Sequence, residues 1–374
     1  MARVNKVLIV GGGIGGLSLA SGLRNRGIEV ELVEVRAEWT VYGVGIIQQC
    51  NVIRAMAQLG LMARVLEAGF AYENMGIYTA AGELVQMLPG ARSAGPEYPA
   101  NLGISRLALH QVLSSTAEER GTRIRLGLTV EHLAQDADGV DVMFTDGTRG
   151  RYDLVVGADG LYSKVRSMVF GKELKPRFTG QSVFRHNFPR APEIDHLMVC
   201  YGENHNAGLC PLSKDQMYMF VTSAEPGNPR MPEDQLADLM RERLAEFGGI
   251  LGRLRERITD PKQVVYKPME VIFVPAPWYR GRVVLMGDAA HAMTPHLSQG
   301  AGMAVEDAVV LSELLAEDAP VEALLSRFMR RRYERCKFIV ESAIQIGDWE
   351  MQGASRADRS GLVKKVMDVI AQPL

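Results

Sequence analysis

The spacing of apolar and polar positions changes along this chain, and each change marks a unit. Lys6 to Val10 is a short apolar run rich in β-branched residues, followed at once by Gly11, Gly12, Gly13, Gly15 and Gly16. Leu17 to Asn25 reads as a helix and Glu29 to Val33 as a second strand that ends on Glu34. Two buried-type strands with a helix between them predict a parallel strand–helix–strand unit. Helices are expected from about Gln49 to Leu59 and from Leu61 to Ala68. Asn74–Thr79 and Glu83–Leu88 should form a hairpin around Ala81-Gly82, and Pro89 to Pro99 a loop.

Ser105 is placed to cap a helix from Arg106 to Arg120 with Leu109, Val112, Leu113 and Ala117 on its apolar side. Strands follow at Arg123–Leu126 with Thr129–Ala134, at Val140–Thr145 and at Gly150–Val156, the last two joined by the Asp146-Gly147 turn. Gly157-Ala158-Asp159-Gly160 closes that strand, and Ser163 and Arg166 open a new helix. From Lys175 to Val274 strands dominate: Gly180–Phe188, His196–Tyr201, Gln216–Thr222, Val264–Lys267 and Glu270–Val274, interrupted by helices over Glu233–Phe247 and Ile250–Arg257. Arg282–Met286 then restores a buried strand, Gly287–His291 ends it, and Gln299-Gly300 opens a long helix to about Leu315. Val321 to Trp349 has apolar residues at three- and four-residue steps, the pattern of a helix that packs on a core.

Composition narrows the classes. At 374 residues, with 47% hydrophobic and 23% charged residues, the chain has room for two domains or one with an inserted lobe. A net charge of −2 gives no basic footprint for nucleic acid. The cluster Arg330-Arg331-Arg332 lies on a helix and reads as a solvated face. Cys50, Cys200, Cys210 and Cys336 have no paired or metal-ligand spacing, so reduced thiols and a cytoplasmic location are expected. The histidines show no metal-binding spacing, and no metal is expected. The uncharged run Val7–Leu23 is too glycine-rich for a signal peptide and short of the roughly 20 residues of a membrane span.

The first unit carries specific chemistry. Gly11 permits a tight turn, Gly13 lets a pyrophosphate approach the backbone, and Gly16 lets the helix pack on the strand. The helix N-terminus offers N–H groups and a positive dipole end to phosphates. Glu34, about 20 residues on, is placed to accept from a ribose hydroxyl. A dinucleotide site is expected here.

Three separated motifs then act together: Gly11–Gly16 with Glu34, Gly157-Ala158-Asp159-Gly160 with Ser163 and Arg166, and Gly287-Asp288 with Pro295 and Gln299-Gly300. In this order the chain resembles the single-component (group A) FAD-dependent aromatic hydroxylases, the para-hydroxybenzoate hydroxylase family. Pro295 to Ala301 is similar to the hydroxynicotinate monooxygenase branch. Ser298 and Gly302 stand where many members have Gly and Asn. The resemblance implies an α/β fold: a discontinuous Rossmann-type FAD-binding domain with an inserted, mostly antiparallel β-sheet substrate lobe and C-terminal helices. The expected division gives residues 1–70, 100–175 and 280–320 to FAD binding, 71–99 and 176–279 to the substrate lobe, and 321–374 to a C-terminal helical segment.

It also implies an activity. The family hydroxylates a small phenolic or hydroxylated N-heteroaromatic substrate with NAD(P)H and O₂ through a flavin C4a-hydroperoxide. An epoxidase or oxidase on the same scaffold, or a non-catalytic dinucleotide-binding protein, stands as the alternative. By the same resemblance Gly11, Gly13, Gly15, Gly16, Glu34, Arg36, Arg106, Asp159, Asp288, Pro295, Gly300, Ala301 and Gly302 would hold FAD, with NADH or NADPH as a transient co-substrate. Expected partners are the aromatic substrate and O₂, with no nucleic acid and no membrane span, in a monomer or homodimer.

Substrate contacts are read from the residues themselves. His296, beside Pro295, is the first choice for a substrate hydrogen bond or proton relay, against an exposed loop histidine. On Gly180–Phe188, Phe184, His186 and Phe188 share one face and Arg185 and Asn187 the other; either His186 or Arg185 could meet substrate, a salt bridge being the favoured reading of Arg185. Tyr218 is assigned to the pocket wall and Phe220, on the supposedly opposite face, to core packing. Gln48 is placed to reach substrate, and His291 is read as structural.

Overall fold

The computed structural model describes residues 4–40, 43–352 and 356–374. The strand pattern of the N-terminal unit forms as expected: Lys6–Val10 lies parallel to Glu29–Glu34 on one side and to Leu154–Gly157 on the other. Arg123–Leu126 and Val283–Leu285 extend this sheet in parallel, and Tyr279–Arg280 adds an antiparallel edge, giving six strands. The Ile14–Arg24 helix covers it and crosses the Gly300–Leu315 helix, which is buried nearly all round. A Cβ on Gly22 would stand 2.8 Å from Ser312 Oγ, so the glycine sets how closely the two helices pack.

The stretch read as one strand, Gly150–Val156, is two. Arg149–Tyr152 joins a three-stranded antiparallel sheet with Val140–Phe144 and Val130–Gln135, and Leu154–Gly157 joins the six-stranded one. Asp153 makes the break: its carboxylate accepts from the Asn5 and Lys6 N–H groups at 2.7 and 2.8 Å. The ladder of one sheet is thereby tied to the start of the other.

The second large sheet has seven strands in the order Val265–Val271, Arg177–Pro189, Gln216–Ala224, Asn206–Pro211, Leu197–Tyr201, Asn74–Thr79 and Leu84–Pro89. All neighbours are antiparallel except Leu197–Tyr201 with Asn74–Thr79. Asn206–Pro211 has no counterpart in the sequence reading, and the two strands expected over Val264–Val274 are one. One face of this sheet builds its own core from Phe184, Phe188, Met198, Cys200, Met217, Met219 and Val221 under the Leu236–Arg243 and Gly249–Arg255 helices. The other face looks toward the parallel sheet across a cavity.

The C-terminal part is helical, Val321–Gln352 and Arg356–Ala371. Arg54 donates to the Ile370, Ala371 and Gln372 carbonyls and Arg335 to those of Val369 and Ile370, so cations close the exposed end of the last helix. All four cysteines are free and buried. No helix among the described residues is long and apolar enough to cross a membrane.

Candidate active site

A cavity of about 550 Å³ runs between the two large sheets. Its first end is the glycine turn. Gly11 has φ +112°, and a Cβ there would stand 2.3 Å from the Ala158 carbonyl oxygen; one on Gly16 would stand 2.1 Å from that of Gly11. Both glycines are required by packing and neither lines the cavity. Gly13 is the reverse: nothing lies within 4 Å of its missing side chain, and it opens onto the cavity with Gly12 and Gly15. No side chain caps the helix that starts at Ile14.

Glu34 reaches this end with its charge already supported. One oxygen accepts from the Gly12 N–H at 2.9 Å and the other from the Arg36 N–H at 3.0 Å. Arg36 lines the same end and donates to Thr40 at 2.7 Å. Sequence reasoning missed His110 and Trp39. The His110 ring meets the Gly12 carbonyl at 3.0 Å and packs edge-on against Trp39. The signal for His110 was its place one helical turn after Arg106.

Gly287 to Ala301 forms the middle of the cavity. Asp288 faces Arg106: burial pushes the carboxyl up, opposed by His291 and Arg106, while burial lowers Arg106, opposed by Asp288. Behind them, Asp307 accepts from Gly287 N–H, His291 Nε2 and Arg332 Nε at 2.9, 2.7 and 2.7 Å. Glu306 accepts from Arg332, Arg335 and Asn51, and Asn51 bonds Gln299. This buried network pins the Gly300–Leu315 helix against the Cys50–Gln58 and Val321–Gln352 helices. His291, Asp307 and Cys336 bring three metal-type ligand atoms within 4.8 Å of one another, but the Arg332 guanidinium already donates to both Asp307 and Cys336. His291 therefore sits in an ion-pair network.

Two expected cofactor residues are placed otherwise. Asp159 does not line the cavity; its carboxylate accepts from Ser163 Oγ and from the Lys164 and Val165 N–H groups, capping the Lys164–Phe170 helix, while Ala158 and Gly160 beside it do line it. Gly302 packs away: a Cβ there would stand 2.9 Å from Gln299 Oε1 and from Val52. Pro295, Gly300 and Ala301 line the cavity. Ser298, at φ +54°, holds the left-handed conformation that favours glycine, which accounts for the glycine common at that position. Arg166 joins the second motif to the third by donating to the Ala289 carbonyl at 2.9 Å.

The far wall is the free face of the seven-stranded sheet. Val183 and Arg185 face the cavity; His186 does not, because it shares the opposite face with Phe184 and Phe188 and packs on Phe188. It is removed from the site. Tyr218 and Phe220 both line the cavity, since residues two apart on a strand share a face. Their expected separation onto opposite faces was wrong. Gly45 makes room for Tyr218, whose ring would stand 2.1 Å from a Cβ there. Burial holds the Tyr218 hydroxyl well above its usual range, with Arg185 and Arg106 pulling the other way. Gln48 is buried and off the cavity, donating to its own neighbour's carbonyl; Ile47 and Gln49 line it instead.

Arg185 also departs from its expected salt bridge. No carboxylate among the described residues lies within ion-pairing distance of it. Burial and the nearby Arg106 charge push it down to about 10. His296 lines the cavity, yet its ring nitrogens are enclosed and turned to the C-terminal helix. Nε2 lies 3.2 Å from Glu350, the side chain is 2% exposed, and Gly347 leaves space for the ring. It is not an exposed loop histidine, and neither of its ring nitrogens nor the facing Glu350 Oε2 has a hydrogen-bond partner among the described residues. Glu350, Val363 and Met367, all from C-terminal helices, line the cavity unforeseen.

These features suit FAD. The open Gly13, the uncapped helix starts at Ile14 and Gly300, and the buried, unpartnered Thr294 hydroxyl all face one elongated space.

Comparison with known proteins agrees. The sequence pattern of the FAD binding domain family matches residues 5–343. Aurachin C monooxygenase/isomerase of Stigmatella aurantiaca is 34% identical over 352 residues, covering 92% of this chain and 90% of the relative. The FAD-dependent urate hydroxylase of Klebsiella oxytoca is 30% identical over 357 residues, covering 90% and 88%. The crystal structure of Klebsiella pneumoniae HpxO complexed with FAD and uric acid superposes with a TM-score of 0.88 at 26% identity, covering 98% of this chain and 97% of that one.

Proposed function

The chain belongs to the FAD binding domain family, and on that premise we propose that it is an FAD-dependent monooxygenase hydroxylating a small phenolic or hydroxylated N-heteroaromatic compound with NAD(P)H and O₂. The observation that carries this reading is one cavity that begins at a dinucleotide turn and ends on a sheet face bearing an unpaired, enclosed arginine. Of the three relatives named above, one is a monooxygenase/isomerase, one an FAD-dependent urate hydroxylase and one a protein complexed with FAD and uric acid, each matched over nearly its whole length.

Glu34 and the backbone of Gly12 to Gly15 would hold the adenosine and pyrophosphate half of FAD. Arg106 and Asp288 would flank the ribityl chain, and Pro295 to Ala301 the ring. Bound there, FAD supplies the redox chemistry that links NAD(P)H oxidation to O₂ activation. Arg185 would bind an anionic or phenolic oxygen of the substrate, a charge-assisted contact for which it has no competing partner. Tyr218, kept protonated by burial, would donate a hydrogen bond to the same ring. Phe220 and Leu197 would exclude water around it. His296, which faces Glu350 at 3.2 Å, would set the Pro295–Ala301 loop beside the C-terminal helix.

We assign residues 71–99 and 176–279 to the substrate lobe, with residues 321–374 closing the cavity it shares with the FAD-binding part. The test is a screen of NAD(P)H oxidation by the yellow holoenzyme over phenols, hydroxybenzoates and hydroxypyridine acids. At least one compound should accelerate oxidation and gain one ¹⁸O atom from ¹⁸O₂. A protein that cannot be loaded with FAD sinks the reading. Label confined to hydrogen peroxide would make it an oxidase.

A further inference from the structure

The substrate wall is longer than one aromatic ring needs. In the seven-stranded sheet Arg185 stands opposite Phe220, Phe220 opposite Gly208, and Gly208 opposite Val199. Three strand steps of roughly 4.8 Å separate Arg185 from Val199 by about 14 Å. Gly208 leaves no side chain on this row. A Cβ there would stand 2.5 Å from the Phe220 ring, so the ring lies over the glycine and makes a flat floor. Leu197 and Met75, paired across adjacent strands, continue that floor beside Val199.

The roof over this stretch comes from the last helix. Arg356–Ala371 has two apolar rows four residues apart. Val366 and Ile370 are buried in the main core, and Val363 and Met367 line the cavity. Val363 and Met367 are only half-buried: they pack against the edge of that core and turn the rest of their surface to the cavity. Arg359 stands over the Tyr201 ring at 5.4 Å and holds the helix to the sheet at that edge. Between these edges Phe220, Val199, Leu197, Met75, Val363 and Met367 are all uncharged, Asn206 and Thr222 border them with neutral groups, and charge enters only at Arg359 over Tyr201 and at Glu350 beside His296. The cavity is therefore cationic where Arg185 and Arg106 meet and mainly apolar along the stretch between Phe220 and Met367.

We propose that the substrate is amphiphilic: its hydroxylated ring carries an uncharged, largely apolar substituent, of alkyl or similar character, which lies between Phe220, Val199 and Leu197 below and Val363 and Met367 above. This rests on the hydroxylase reading and specifies its substrate class. A bare ring held at Arg185 leaves the floor from Gly208 to Met75 uncovered. Each methylene that leaves water there strengthens binding by up to about fourfold.

The probes are 2-hydroxybenzoates bearing a straight ring-alkyl chain from methyl to heptyl. Their dissociation constants are read from perturbation of the flavin absorbance of the holoenzyme under anaerobic conditions, without turnover. Affinity should rise about two- to fourfold per carbon over the first several carbons. Met367→Lys should flatten that slope, and Val199→Asn, a milder change on the other wall, should reduce it. Affinity that is independent of chain length, or that falls with it, overturns the proposal even if the same probes accelerate NAD(P)H oxidation. A slope that persists unchanged in both variants overturns this location for the arm. If no probe, alkylated or not, perturbs the flavin or accelerates oxidation, the substrate assignment made under the hydroxylase reading fails together with the arm.

Discussion

Glu34 and Arg185 face the same cavity with opposite charges, and they are held in opposite ways. Glu34 accepts from two backbone N–H groups, so its charge is compensated whether or not a ligand is present. Asp307 and Glu306, behind the flavin-side loop, are likewise fully partnered. Arg185 has no carboxylate partner among the described residues, burial works against its charge, and a second arginine lies near. The carboxylates Glu34, Glu306 and Asp307 at the cofactor end are thus satisfied by the protein itself, and what stays open there is neutral: the Thr294 hydroxyl and two uncapped helix starts. The substrate end is complete only when an anion or a polarised oxygen arrives, which is a source of selectivity.

The largest test of this contrast is Arg332→Met. It strips Asp307 and Glu306 of a buried cation, and unfolding free energy should fall by about 3–5 kcal/mol, with FAD lost on purification. Stability unchanged in a urea titration would show that the compensation at the cofactor end is not needed.

Arg185→Met is the counterpart. It removes an uncompensated charge, so stability should hold or rise and FAD should stay bound. kcat/KM with an acidic substrate should drop by about 10- to 100-fold. A loss of folding with no change in substrate affinity would reverse the assignment of the two ends.

The His291–Asp307 pair sharpens the contrast through pH. Burial opposes the His291 charge, but Cys336 and Asp307 raise its proton affinity well above the ordinary value. Its contribution is therefore full below pH about 6.5 and is lost as pH rises through the folded-state value. Asp307 is also disfavoured by burial, yet His291 and Arg332 hold it below the usual carboxylate value. Its contribution is present above pH about 4 and is lost as pH falls through its folded-state value. Denaturation midpoints should be highest between about pH 4 and 6.5 as far as this pair is concerned. The decline on the alkaline side should shrink in His291→Gln.

The smallest effect belongs to Ser298. Its left-handed conformation disfavours any side chain, so Ser298→Gly should stabilise by about 0.5 kcal/mol after the entropy glycine adds to the unfolded chain. A loss of stability would mean that the serine hydroxyl holds the loop.

The chain by itself determined the parts made of backbone. Gly11 needs a positive φ and Gly16 closes on the Gly11 carbonyl within the same turn, so both are fixed within a few residues of sequence, although Gly11 also meets Ala158 at the end of the neighbouring strand. The parallel core, the flavin-side turn at Gly287 and the helix cap at Ser105 were legible for the same reason. The substrate wall was not. Which side of a strand meets the cavity depends on register across seven strands, and on that His186 and Arg185 part company. Asp153 splits a strand through contacts with Asn5 and Lys6, 148 and 147 residues away in sequence. Glu350 and Met367 enter the site because the two C-terminal helices return there, and nothing in their own neighbourhood in sequence marks them. Local geometry is written in local sequence, whereas a wall built from side chains of distant strands and helices exists only once they pack.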